Sequence, residues 1–270
     1  QPCPQNYDHT SFYPIKDFGI NDLPKDYKDE TLLEIIYAYA ALTVRVYLKN
    51  KSPSRAIDKS VRGEQYSEED EDGEGNVGTG YIHSIFSEYK ENDKKRCQCI
   101  KCRDSPEKAS AVWWLLTVYS AHHVVCDDFE AKQARCRLFY DEEPKSKSDS
   151  EDVALGHRES PQPVFIDGYK MIRYASEDDR CRFVCATCDS VLVQRLKSIW
   201  ANLETLNKSL PKQYVKGKDV GKPCFIVSHP HRRAKHVTVG KVISKEKGRY
   251  KYDNATCKGS SGGPVYIVGK

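Results

Sequence analysis

The stretch "CKGSSGGPV" places Ser261 among glycines and next to a second serine, Ser260. A serine hydroxyl becomes a nucleophile only when an imidazole takes its proton, and the imidazole in turn needs a carboxylate to fix its tautomer. Glycines on both sides allow a tight turn that aims the amides of Gly259 and Ser261 at one point, where an oxyanion could form. Gly259, Ser261 and Gly263 also satisfy G-x-S-x-G, the nucleophile elbow, but in that arrangement the acid and the histidine follow the serine. The residues after Gly263 include no Asp, Glu or His, so the partners are sought upstream.

Upstream, "LLTVYSAHHV" ends an apolar run in two histidines, His122 and His123. Adjacent side chains of an extended chain point to opposite faces, so the pair is poorly arranged to chelate one ion. Two segments supply an acid: "SEDVALGH" with Asp152, and "TCDSVLVQRL" with Asp189.

On these residues the chain resembles trypsin/chymotrypsin-like serine peptidases. "GSSGGPV" is similar to their active-site serine motif, "LLTVYSAHHV" to the segment ending in Ala-Ala-His, and "GTGYI" to the strand before it. The resemblance runs from about Thr43 to Val268. In motif it comes nearest to glutamyl-endopeptidase-like and invertebrate trypsin-like domains, through "VSHPH", "VTVG" and "YDNATCKGSSGGPV". It implies peptide-bond hydrolysis through an acyl-enzyme: Ser261 attacks, His122 carries the proton, Asp189 orients His122, and the Gly259 and Ser261 amides hold the oxyanion. No cofactor and no catalytic metal are implied. Asp189 is preferred to Asp152 because the family's first barrel needs several strands between histidine and acid.

Departures from the family pattern carry information too. Ser260 stands where members activated by cleavage have an Asp, so that activation route is not implied. Ala255 stands where trypsin-like members carry the acid that selects Lys or Arg, so specificity for basic residues is not expected. Thr256 would line the specificity pocket beside Ala255, and Asn254 opens an N-x-Thr sequon at the same wall, as Asn50 and Asn207 open N-x-Ser sequons elsewhere. The family's closing strands follow the serine, whereas Lys270 comes soon after it. The second barrel is therefore expected to be incomplete, finished by another segment or a partner chain, or degenerate. That supports a rival reading, a protease-like binding or structural module without activity.

The elements that must position these residues read as mainly β. The expectation is a trypsin-like double six-stranded antiparallel β-barrel with an N-terminal extension, one or two helices and cysteine-rich insertions. "DETLLEIIYAYAA" has acidic residues at a helix start, and "LTVRVYL" alternates as a strand. Further strands are read at "VGTGYIHSIF", "AVWWLLTVYS", "RCRLFYDE", "PVFIDGYKMIRY", "DSVLVQRL", "KPCFIVSHP", "HVTVGKVIS" and "GPVYIVG". "LKSIWANLETLNKSL" has helical spacing. The acidic run Glu64 to Asn76 reads as a solvated loop. The division expected is 1–41 extension with a helix, 42–195 first barrel, 196–222 helical connection and 223–270 second lobe.

With 270 residues, 39% of them hydrophobic, the chain can bury a core in one or two lobes. A net charge of +4 from 43 basic and 39 acidic side chains does not point to nucleic acid. No apolar run is long enough to suggest a membrane-spanning helix. The opening "QPCPQNY" reads as a chain from which a leader has been removed, giving an expectation of secretion. Among the 11 cysteines, "CQCIKC" and "CRFVCATC" read as a disulfide framework in preference to zinc ligands, because each pair is crowded by a third cysteine. The partner expected is a protein or peptide substrate.

Overall fold

In a computed structural model, residues 9–56, 76–143 and 163–270 are described. The strands are β1 (Phe12–Pro14), β2 (Thr43–Leu48), β3 (Val77–Tyr89), β4 (Trp113–Ser120), β5 (Ala134–Leu138), β6 (Val164–Ala175), β7 (Arg180–Thr187), β8 (Pro223–Ser228), β9 (His236–Glu246), β10 (Arg249–Tyr252) and β11 (Val265–Ile267). The helices are α1 (Glu30–Leu42), α2 (Ile100–Asp104), α3 (Asp128–Gln133), α4 (Ser190–Ser209) and α5 (Lys212–Val215). The protein is mainly β.

Strands β2 to β7 close a barrel in the order β2-β3-β4-β7-β6-β5, all neighbours antiparallel. Closure follows from alternation: Val44, Val46 and Leu48 of β2, Leu116 and Val118 of β4, and Phe183 and Cys185 of β7 are fully buried. The second lobe is a five-stranded sheet in the order β1-β9-β8-β11, with β10 on β9. It is an open sheet among the described residues, unlike the closed six-stranded barrel. Its edge strand β1 comes from the N-terminal extension, with Phe12 opposite Thr238.

Helix α1 forms as expected because Asp29 caps it, accepting from the Leu32 amide at 3.0 Å. Its buried stripe, including Leu32, Ile35 and Ile36, packs against α4. Two readings of the sequence are corrected. "DSVLVQRL" is the first part of helix α4, because Asp189 caps it and Leu192, Val193 and Leu196 form one buried face with Leu203. "CRFVCATC", read as a cysteine cluster, lies on strand β7 up to Thr187, with Cys181, Phe183 and Cys185 turned inward and Cys188 just beyond the strand. The acidic run Glu64 to Asn76 lies outside the described residues except for Asn76, as does Asp152.

Candidate active site

The serine loop is held by its own turns and by the first barrel. Ser260 NH donates to Cys257 O at 2.9 Å, and Gly263 NH to Ser260 O at 3.1 Å. The buried Ser260 hydroxyl accepts from Ser228 Oγ at 3.0 Å and from the Cys257 amide at 3.3 Å. Gly259 and Gly262 adopt φ of 93° and 86°, values that disfavour any side chain. A Cβ on Gly262 would also fall 2.2 Å from Thr79 O and 2.4 Å from Ser120 Oγ, so the loop lies directly on β3 and the end of β4.

Thr79 fastens this contact. Its amide donates to Ser261 O at 2.8 Å and its hydroxyl donates to Gly259 O at 2.7 Å. The same hydroxyl accepts from the His229 amide at 3.0 Å, while Ser120 Oγ donates to Thr79 O at 2.7 Å. Ser261 is thereby positioned by a rigid strand, which a nucleophile requires. Among the described residues, the Gly259 and Ser261 amides donate to no protein acceptor, which leaves them for an oxyanion.

At the end of β4 the chain turns through Ala121 to Val125, with Val124 NH and Val125 NH both donating to Ala121 O. His122 is buried, and its ring stacks on Tyr174 with centroids 5.1 Å apart. His123 is the ring on the open side, with its side chain 26% exposed. Its Nδ1 lies 2.6 Å from Asp179 Oδ2, and its amide donates to Asp179 Oδ1 at 3.0 Å. Asp179 sits in the left-handed region, φ 49°, on the connection from β6 to β7. Burial pushes the Asp179 carboxyl up, but the hydrogen bonds from the His123 ring and amide outweigh it and hold the group below its ordinary value. An ionised carboxylate can only accept, so it favours the His123 tautomer that carries its proton on Nδ1.

His123, Asp179 and Ser261 line one cleft of ≈ 390 Å³, together with Tyr81, Tyr119 and Gly262. Neither His122 nor Asp189, the expected partners of Ser261, is among the residues lining this cleft. His122 is packed against Tyr174. Asp189 accepts from Leu192 NH at 2.9 Å as the cap of α4. In the antiparallel β4–β7 pair, Ser120 faces Cys181 and Trp114 faces Thr187, so the histidine end and the Asp189 end are six residue steps apart, about 20 Å. No side chain spans that distance.

On its other side Ser261 borders a second depression of ≈ 280 Å³, lined by Ile226, Tyr252, Thr256, Lys258 and Val265. Thr256 is among the residues lining this depression, whereas Ala255 packs beside Phe12 and Cys257. Asn254 is buried, and its Nδ2 donates to Cys224 O at 3.0 Å and Thr238 O at 2.9 Å. That nitrogen is occupied in the fold and cannot carry a glycan there.

The Ala-Ala-His resemblance named His122 over His123, and Asp179 was passed over because the segment that follows it was not taken as a strand. The signal was present in "DDRCRFVCAT", where Cys181, Phe183 and Cys185 alternate with arginines and valine directly after two aspartates.

No protein-family model matches this sequence, and no curated protein does. Among solved structures the chain is similar to the serine endoprotease from Yersinia pestis, with 13% identity and a TM-score of 0.43; the match covers 91% of this chain and 54% of that one. It is also similar to Deg5, with 11% identity and a TM-score of 0.42, covering 91% of this chain and 82% of that one. The chain thus spans about half the length of the Yersinia pestis protein.

Proposed function

We propose that this chain is a serine endopeptidase whose triad is Ser261, His123 and Asp179. The observation that supports it best is the two-point hold of Asp179 on the His123 ring and amide, in the cleft that Ser261 also lines. In the reaction, Ser261 Oγ bonds to the scissile carbonyl carbon while its proton passes to His123 Nε2. The carbonyl oxygen becomes an oxyanion facing the Gly259 and Ser261 amides. Collapse breaks the C–N bond, His123 gives its proton to the leaving amine, and an acyl-enzyme remains. Water, deprotonated by His123, then releases the acid product and restores the serine. Asp179 stabilises the imidazolium through both steps.

The depression beside Thr256 supplies specificity in this reading. No described residue lining it is acidic, so a basic side chain would meet no counter-charge there. Cleavage is expected after acidic or neutral residues, not after Lys or Arg.

The test is reaction with a fluorophosphonate, followed by intact mass. One adduct is expected on the wild type and none on Ser261→Ala, with Asp179→Asn slowed by about 10³–10⁴-fold. A folded wild type that takes no adduct would leave a protease-like module that binds without cutting. A peptide library then reads the residue preceding the cut.

A further inference from the structure

All ten described cysteines are thiols, against the disulfide framework expected from their spacing. Four of them converge. Cys97, Cys99 and Cys102 lie in the insertion between β3 and β4, and Cys188 lies in the short link between β7 and α4. Their sulfurs are all within 4.8 Å of one another. Cys102 Sγ is 3.8 Å and Cys99 Sγ 4.0 Å from Cys188 Sγ. Those separations are far beyond a disulfide bond of about 2.05 Å. They match instead the edge of a sulfur tetrahedron around zinc, about 3.8 Å when each Zn–S bond is about 2.3 Å.

We propose that Cys97, Cys99, Cys102 and Cys188 form a tetrahedral, all-thiolate zinc site that holds the 90–110 insertion to the barrel. Three further features support it. Across 90–110 the buried residues are Cys97, Cys99 and Cys102, so hydrophobic burial alone cannot order this segment. Its backbone is already wound around the sulfurs: Cys102 NH and Arg103 NH donate to Cys99 O, and the Cys99 amide lies 3.5 Å from Cys97 Sγ as a donor to it. Four thiolates on one Zn²⁺ carry a net charge of −2, and residues 90–110 carry 7 basic side chains against 4 acidic ones, a balance of the opposite sign.

The site is structural and not catalytic. Four protein sulfurs leave no open position for water or substrate. It also lies at the Thr187 end of β7, about 20 Å along the strand from the histidine end. Its work is to clamp the insertion against Trp113, Leu115 and Val184, the small apolar cluster outside the barrel.

The experiment is metal analysis of the full chain, expressed with zinc and purified under reductant, beside Cys102→Ser/Cys188→Ser and a Cys224→Ser control, whose thiol lies in the second sheet. The expectation is one zinc per chain in the wild type and control, and at least a tenfold drop in the double variant. Because the double variant could fail to fold, wild-type chain stripped and reloaded with cobalt is read as well. Sulfur-to-cobalt charge-transfer absorption with tetrahedral d–d bands is expected. Zinc-free wild-type chain that also gives no such spectrum overturns the proposal, as does zinc retained at full stoichiometry by the double variant. So does thiol titration that finds these four sulfurs oxidised in pairs in the folded chain.

Discussion

His122 and His123 are adjacent in the chain, and the structure sends one into packing against Tyr174 and the other to Asp179. The resemblance to Ala-Ala-His named His122, whereas the ring that meets a carboxylate in the Ser261 cleft is that of His123. His123→Ala is therefore expected to slow fluorophosphonate labelling by about 10³–10⁴-fold at unchanged stability, and His122→Ala to lower the unfolding midpoint while still labelling. A third histidine sets a pH dependence. His229 is fully buried beneath the serine loop, and burial holds its pKa well below 6.5 with help from the Lys235 charge. Its unfolded form takes a proton near pH 6.5 that the folded form refuses, so stability is complete above about pH 6.5 and falls as pH drops below it. Urea unfolding from pH 7.5 to 5 should show that loss, and a His229→Gln variant should show a shallower one.

At the scale of elements, strong local signals were legible and ambiguous ones were not. The Asp29 cap and the alternation of "TVRVYL" predicted α1 and β2 within a residue or so. "DSVLVQRL" misled because a short apolar run with valines suits a strand as well as a buried helix face. What decided it was Asp189, whose carboxylate satisfies the Leu192 amide and is then spent as a cap. With that helix read as a strand and the β7 segment as a cysteine cluster, the expected acid falls at the end of the barrel away from His123 and Ser261. Asp189→Ala is expected to cost about 0.5–2 kcal/mol in stability, measured by urea unfolding, and to leave kcat for a peptide substrate within twofold of the wild type. A loss of kcat approaching that of Asp179→Asn would return Asp189 to the site.

Across the whole molecule, the two-lobe β plan was legible in the run of short strands, whereas the joint between lobes was not, because its residues are ordinary ones. Thr79 reads as one alternating residue of a strand, yet it links the barrel to Gly259, Ser261 and His229. The outer Arg249–Asp178 ion pair also crosses between lobes, but both partners are substantially exposed and such pairs add little. Thr79 is fully buried, so Thr79→Val would keep the shape while leaving the Gly259 carbonyl and the His229 amide without their partner. That should cost about 1–3 kcal/mol in unfolding free energy. It should also slow fluorophosphonate labelling of the molecules that remain folded, because Gly259 carries one of the two oxyanion amides and the hydroxyl fixes its carbonyl. Thr79→Ser, which keeps the hydroxyl and loses one methyl, should recover most of the labelling rate. If Val and Ser label alike, the Thr79 hydroxyl does not shape the serine loop, and the backbone bond from the Thr79 amide to Ser261 O holds it to the barrel without that hydroxyl.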